Sequence, residues 1–185
     1  MITRTEEDPN KPVIGVLAIQ GAVEEHIRAI TKVGAVAKEI KLPHHFEEKL
    51  DGIILPGGES TTMAIIGERW GIFPLLKAWV EDGKPIWGTC AGMILLSNHA
   101  IKQKEGGQSL VGGLDVTVCR NFFGPQINSF EFPIPSSFLD DSSGPNYGEE
   151  SDSTCTAVFI RAPAIICAGK DVQILATILA KPHRY

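Results

Sequence analysis

An alternation confined to the N-terminal half most constrains the fold: short apolar runs ended by glycine take turns with stretches whose apolar residues recur at helical spacing. PVIGVLAIQG (12–21) is short, apolar, β-branched at several places and closed by glycine, which predicts a buried parallel strand. AVEEHIRAITKVG (22–34) carries Val23, Ile27, Ile30 and Val33 on one helical face and ends at Gly34, which predicts a helix with a glycine stop. AVAKEIKL and LDGIILPGG (50–58) predict a second and a third strand. TTMAIIGERWGIFPLLKAWVEDG has internal glycines and Pro74, so two shorter helices are expected there. PIWG then predicts a strand and AGMILLSNHA (91–100) a helix. Such an order predicts an α/β fold: a doubly wound, mostly parallel sheet flanked by helices.

From about residue 110 the texture changes. LVGGLDVTVCRN, QINSFEFPI and TAVFIRAPAI alternate like strands of a more antiparallel region. Between the last two lies a polar, acidic, Ser- and Gly-rich stretch near 136–154, expected to be a flexible surface loop. Residues 1–11 read as a polar tail, and 12–185 as one domain.

Composition narrows the function classes. A net charge of -5 supplies no basic surface for nucleic acid or an anionic membrane, so a small molecule or a protein is the expected partner. Cys90, Cys119, Cys155 and Cys167 are widely spaced without a C-x-x-C pair, so neither a metal site nor a disulfide framework is expected. Free buried thiols are the expectation for all but Cys90. The start lacks the apolar stretch of a signal peptide and no run reaches membrane-spanning length, which points to the cytoplasm.

Cys90 sits in G-T-C-A-G where a strand gives way to a helix, at the carboxyl end of a parallel strand, where open sheets place their functional crevice. A nucleophile on so sharp a turn needs small neighbours, and Gly88 and Gly92 provide them, as in the thiol counterpart of a G-x-S-x-G elbow. The N-terminal N–H groups of the next helix would favour the thiolate. Taken alone, the pattern fits a small buried cysteine among closely packed glycines equally well. LPGGESTT (55–62) is a second glycine-rich strand-to-helix junction, whose Gly57 and Gly58 can present backbone N–H groups to an oxyanion; the alternative is a plain turn with Ser60 or Thr61 capping a helix.

VLAIQG, LPGGESTTM, WGTCAGMILL, GGLDVTVCRNFFGPQINSFE and VFIRAP together resemble the glutaminase-subunit family of pyridoxal 5'-phosphate synthases, within the class I (triad) glutamine amidotransferases. The likeness runs from about Val13 to about Leu175. It implies hydrolysis of L-glutamine to glutamate and ammonia, with ammonia passed through a channel to a separate synthase subunit that builds the vitamin B6 cofactor. By the same resemblance Cys90 is the nucleophile that forms the γ-glutamyl thioester. Gly58, Glu59 and Ser60 hold glutamine, Gly58 and Ala91 supply oxyanion amides, and Arg120, Ile160 and Arg161 contact the substrate. Neither a metal nor a cofactor of its own is implied. Without the resemblance, surface ion pairing would be the default reading of both arginines.

The family's catalytic base and its orienting acid come from an H-P-E motif near the carboxyl end, and these 185 residues contain none. His183 follows a proline, has no acid after it and lies beside the end of the sequence; His26, His99, His44 and His45 have no spacing that marks a base. The expectation is therefore a shortened family member, with a strand edge and an apolar face left uncovered and stability and solubility reduced. Two functional readings follow: a glutamine amidohydrolase subunit, or a family member that binds glutamine or the synthase without turnover. A cysteine-elbow α/β hydrolase or chaperone from outside the family is opposed by the RNFFG and FIRAP segments.

Overall fold

The computed structural model of the chain describes residues 10–101, 106–123, 129–135 and 154–178. Strand β1 (Val13–Leu17) leads into α1 (Val23–Lys32), then β2 (Val36–Ile40), a short 3-10 helix (Pro43–Glu47) and β3 (Gly52–Leu55). Helices α2 (Ser60–Arg69) and α3 (Ile72–Glu81) follow, then β4 (Ile86–Gly88) and α4 (Ala91–Leu96). The four strands form one parallel sheet in the order β2-β1-β3-β4. Chain direction across the sheet reverses between β1 and β3, so their carboxyl ends flank the switch-point crevice that open α/β sheets offer to ligands.

Both faces of the sheet are covered, which is why its strands read as continuous apolar runs. On one face Val16 and Ile54 pack with Ile30 of α1; on the other Leu17, Ile53 and Leu55 pack with Met63, Phe73, Leu76 and Leu95 of the later helices. The α1 stripe is shorter than expected. Ile30 is buried and Val23 and Ile27 are half-buried, but the helix ends at Lys32, leaving Val33 as its C-cap at 81% exposure ahead of the turn at Gly34, φ 88°. A break between α2 and α3 occurs where glycine and proline predicted it, with Gly71 left-handed at φ 70° and Pro74 inside the first turn of α3.

The helix expected over 91–100 is only partly helical. It stops at Leu96, and β5 (Ser97–Ile101) begins at once. The Ser97 hydroxyl donates to the Ile94 carbonyl at 2.7 Å, and the Leu95 carbonyl accepts from the Val111 and Gly112 amides, so the last turn finds partners outside the helix. β5 then runs parallel to β6 (Leu114–Cys119), and β6 pairs antiparallel with β9 (Ala164–Ala168). β7 (Phe130–Pro135) and β8 (Thr154–Phe159) form a separate antiparallel pair, with Phe130 and Phe159 stacked at 4.9 Å. TAVFIRAPAI, which reads as one strand, is thus two strands in two sheets, broken around Arg161 at φ 48°. The acidic stretch near 136–154 lies outside the described residues except Thr154, which opens β8.

Of the cysteines expected to be buried, only Cys119 is. Cys155 is half-buried and Cys167 exposed. β9 is an outer strand of its three-stranded sheet, and Ile165 and Ile166 beside Cys167 stand 49% and 47% exposed.

Candidate active site

The registry of the parallel sheet builds the site. Leu55 pairs with Gly88, so the bends that follow β3 and β4 leave the sheet side by side. At the second bend Cys90 is exposed and left-handed, at φ 47° and ψ -104°, a strained position for a residue with a side chain. Its glycine neighbours are required by space. A Cβ on Gly88 would come within 2.5–2.6 Å of the Gly92 and Met93 backbone, and one on Gly92 would overlap the Leu55 carbonyl. The first bend lies in contact with the cysteine: a Cβ on Gly57 would sit 3.4 Å from the Cys90 Cβ. Behind Cys90, α4 has only six residues, so its dipole is smaller than a helix over 91–100 would give.

A cavity of about 460 Å³ opens at this junction. Gly58, Glu59, Ser60 and Cys90 line it from the two bends, and Arg120, Ile160 and Arg161 from the C-terminal strands. All these sequence-predicted residues therefore meet in one place. Ala91, the expected second oxyanion donor, adjoins Cys90 but is buried at 1% exposure and is not part of the wall. Gln20, Ile94, Asn121 and Pro163 complete the lining and were not expected from the sequence. Gln20 follows β1 at the switch point, and its Oε1 accepts the Glu59 amide at 2.8 Å.

Side-chain partners refine the expected roles. Glu59 caps α2, accepting from the Thr62 amide at 2.7 Å and hydroxyl at 2.9 Å, and pairs with Arg120 at 3.3 Å. Desolvation pushes the Glu59 carboxyl upward, but hydrogen bonds from Thr62 and Thr61 outweigh it and hold the group below the usual carboxylate range. Ser60 is 2% exposed and its hydroxyl donates to Gln108 Oε1 at 3.1 Å, so that hydroxyl is turned to a neighbouring loop. Arg161 and Asn121 both take left-handed turns, φ 48° and 55°, which bring adjoining loops to the cavity.

No histidine lines the cavity among the described residues. His44 and His45 meet edge to face at 4.4 Å in the 3-10 helix, His99 is on β5, and His183 lies outside the described residues. His26 comes nearest to the elbow: its Nε2 is 3.3 Å from the hydroxyl of Thr89, the residue before Cys90. Burial pulls His26 below the ordinary histidine pKa, with Glu25 pulling the other way. The described residues hold no cluster of three or more metal-ligating side chains, and no helix among them is long and apolar enough to cross a membrane.

An exposed cysteine at a glycine-flanked bend, beside a second glycine bend on a doubly wound sheet, is an arrangement that fits the class of glutamine amidotransferase-like α/β proteins. The fold matches a crystal structure described as a glutamine amidotransferase, with a TM-score of 0.76 and 36% identity over 91% of this chain and 82% of that one. The chain belongs to the SNO glutamine amidotransferase family, whose model matches residues 16–180. A relative from Arabidopsis thaliana named "Probable pyridoxal 5'-phosphate synthase subunit PDX2" is 50% identical over 88% of this chain. Pyridoxal 5'-phosphate synthase subunit PdxT of Listeria welshimeri is 45% identical over 89%. The matched region spans 61% of the Arabidopsis protein and 79% of the Listeria one.

Proposed function

We propose that this chain is a glutamine amidohydrolase subunit that delivers ammonia to a pyridoxal 5'-phosphate synthase subunit. The observation that carries this is the gathering of Cys90, the Gly57–Gly58 bend and two arginines around one cavity. The Cys90 sulfur attacks the side-chain carbonyl carbon of glutamine; the thiol proton passes to the amide nitrogen, the C–N bond breaks, ammonia leaves, and a γ-glutamyl thioester remains for water to hydrolyse to glutamate and the free thiol. Backbone N–H groups of Gly58 and Ala91 receive the developing oxyanion. Arg120 and Arg161 grip the substrate carboxylate, and Glu59, held ionised by its Thr61 and Thr62 hydrogen bonds, complements the α-ammonium. The names of the relatives support the synthase partner, and the four unbridged cysteines fit the cytoplasm.

Ammonia release from L-glutamine, measured with and without a synthase subunit, tests the reading against Cys90→Ala. Release above that control is expected; its absence together with no covalent capture of a glutamine analogue at Cys90 overturns it.

A second reading, a glutamine- or synthase-binding protein without turnover, is favoured by one observation: no histidine among the described residues lines the cavity. Glutamine binding or a trapped thioester without ammonia turnover is its signature.

A further inference from the structure

All three polar groups of Thr89 are held by a different element. Its amide donates to the Leu55 carbonyl at the end of β3 at 3.1 Å, its carbonyl accepts from the Gly92 amide of α4 at 2.8 Å, and its hydroxyl meets His26 of α1 at 3.3 Å. The His26 ring is fixed in turn, edge-on to Trp87 of β4 at 5.8 Å and 85°. The same hydroxyl lies near the Gly57–Gly58 bend, 3.8 Å from where a Cβ on Gly57 would stand. The start of α1 holds that bend from the other side, with the Ala22 amide donating to the Gly57 carbonyl at 2.9 Å.

We propose that His26 is a positioning residue, whose imidazole clamps the Thr89 hydroxyl and so fixes the Cys90 sulfur against the Gly57–Gly58 bend. A left-handed cysteine persists only where its surroundings over-determine it, and Thr89 is its immediate neighbour. Burial favours the neutral ring, which has one donor and one acceptor nitrogen to offer a hydroxyl. The pair is partly buried and contributes modestly to folding. Its effect falls on alignment, where a displacement of about 1 Å can cost as much as a hundredfold in rate. The inference rests on the glutaminase reading for its substrate-shaped probe alone.

The test compares two reagents that alkylate Cys90, followed by the mass of the Cys90 peptide so that labelling of the exposed Cys167 and half-buried Cys155 is counted apart. Iodoacetamide needs a thiolate alone. A chloroketone analogue of L-glutamine, which forms a C–S bond as chloride leaves, also needs the bend and the arginines in place. His26→Ala is expected to slow chloroketone capture about tenfold while leaving the iodoacetamide rate nearly unchanged. Thr89→Val should show the same loss, the double variant no further loss, and His26→Gln, which keeps a hydrogen-bonding group, most of the original rate. Wild-type capture by His26→Ala, losses that multiply in the double variant, or equal loss with both reagents would overturn the clamp. Should the unaltered chain show no preference for the chloroketone, the glutaminase reading fails by itself. Hydrogen exchange of the Cys90 and Ala91 amides in the same four variants then decides the clamp, equal acceleration in His26→Ala, Thr89→Val and the double variant supporting it and additive or absent acceleration sinking it.

Discussion

In the parallel sheet Val16, Leu17 and Leu55 are fully buried between helices on two faces, whereas in the later strands Val158 and Ile165 stand 58% and 49% exposed, and Ile174 and Leu175 beyond them 65% and 56%. Composition does not account for this exposure, since the later strands carry fewer Val, Ile and Leu and yet leave Val158, Ile165 and Ile166 in water. Cover does. β1 and β3 have a strand on each side and a helix layer above and below, while β9 has a strand on one side and the β7–β8 pair stands apart as its own two-stranded sheet. An apolar side chain contributes to stability in proportion to the area it removes from water, so equal residues in the two regions are worth different amounts. The cavity lies on the seam: Cys90 and the glycine bend come from the well-packed side, Arg120, Ile160 and Arg161 from the thin one.

The largest expected effect tests that difference in cover. Leu55→Ala should cost about 3–5 kcal/mol in urea unfolding, as a fully buried truncation does. Ile166→Ala should stay within about 0.5 kcal/mol. Equal losses would break the comparison. Amide exchange should separate the regions next, with β1 and β3 amides protected on the order of a hundredfold more than those of β7 and β8. Matching protection factors would mean that the two unfold as one unit.

A smaller effect sharpens the seam. Gly92→Ala drives a methyl into the Leu55 carbonyl, and should cost about 1–3 kcal/mol while slowing alkylation of Cys90. Unchanged stability and reactivity would show that the elbow has slack. The smallest concerns Glu59. Its carboxyl is held below the unfolded value, so the stability it adds is present above the ordinary glutamate range and lost as pH falls through its lowered value. Glu59→Gln should flatten that acid limb by no more than about 0.5 kcal/mol, because the side chain is 47% exposed and screened by solvent. A stability curve that steepened at low pH in Glu59→Gln would reverse the assigned sign.

Much of the well-covered half was legible because its signals are local. β-branched runs, Gly34, Gly71 and Pro74 act within a few residues, and the glycines beside Cys90 are demanded by the bend itself. The thin half was less legible because its partners are distant. Nothing near Leu96 tells that Val111 and Gly112 will take the Leu95 carbonyl and end the helix there, nor that FIRAP will fold back at Arg161 and feed two sheets. Gln20 and His26 carry no motif of their own. They matter through Glu59 and Thr89, 39 and 63 residues away.

By itself the sequence determined the alternation of strands and helices, the two glycine-rich bends and the family to which they belong, since each depends on neighbours along the chain or on motif order. Only the tertiary structure decided which of those residues share a cavity, that the Ser60 hydroxyl turns to Gln108, and that Cys155 and Cys167 escape burial. The physical reason is cover: a strand's pattern announces its apolar face, but what packs against that face is set by segments far off in the chain.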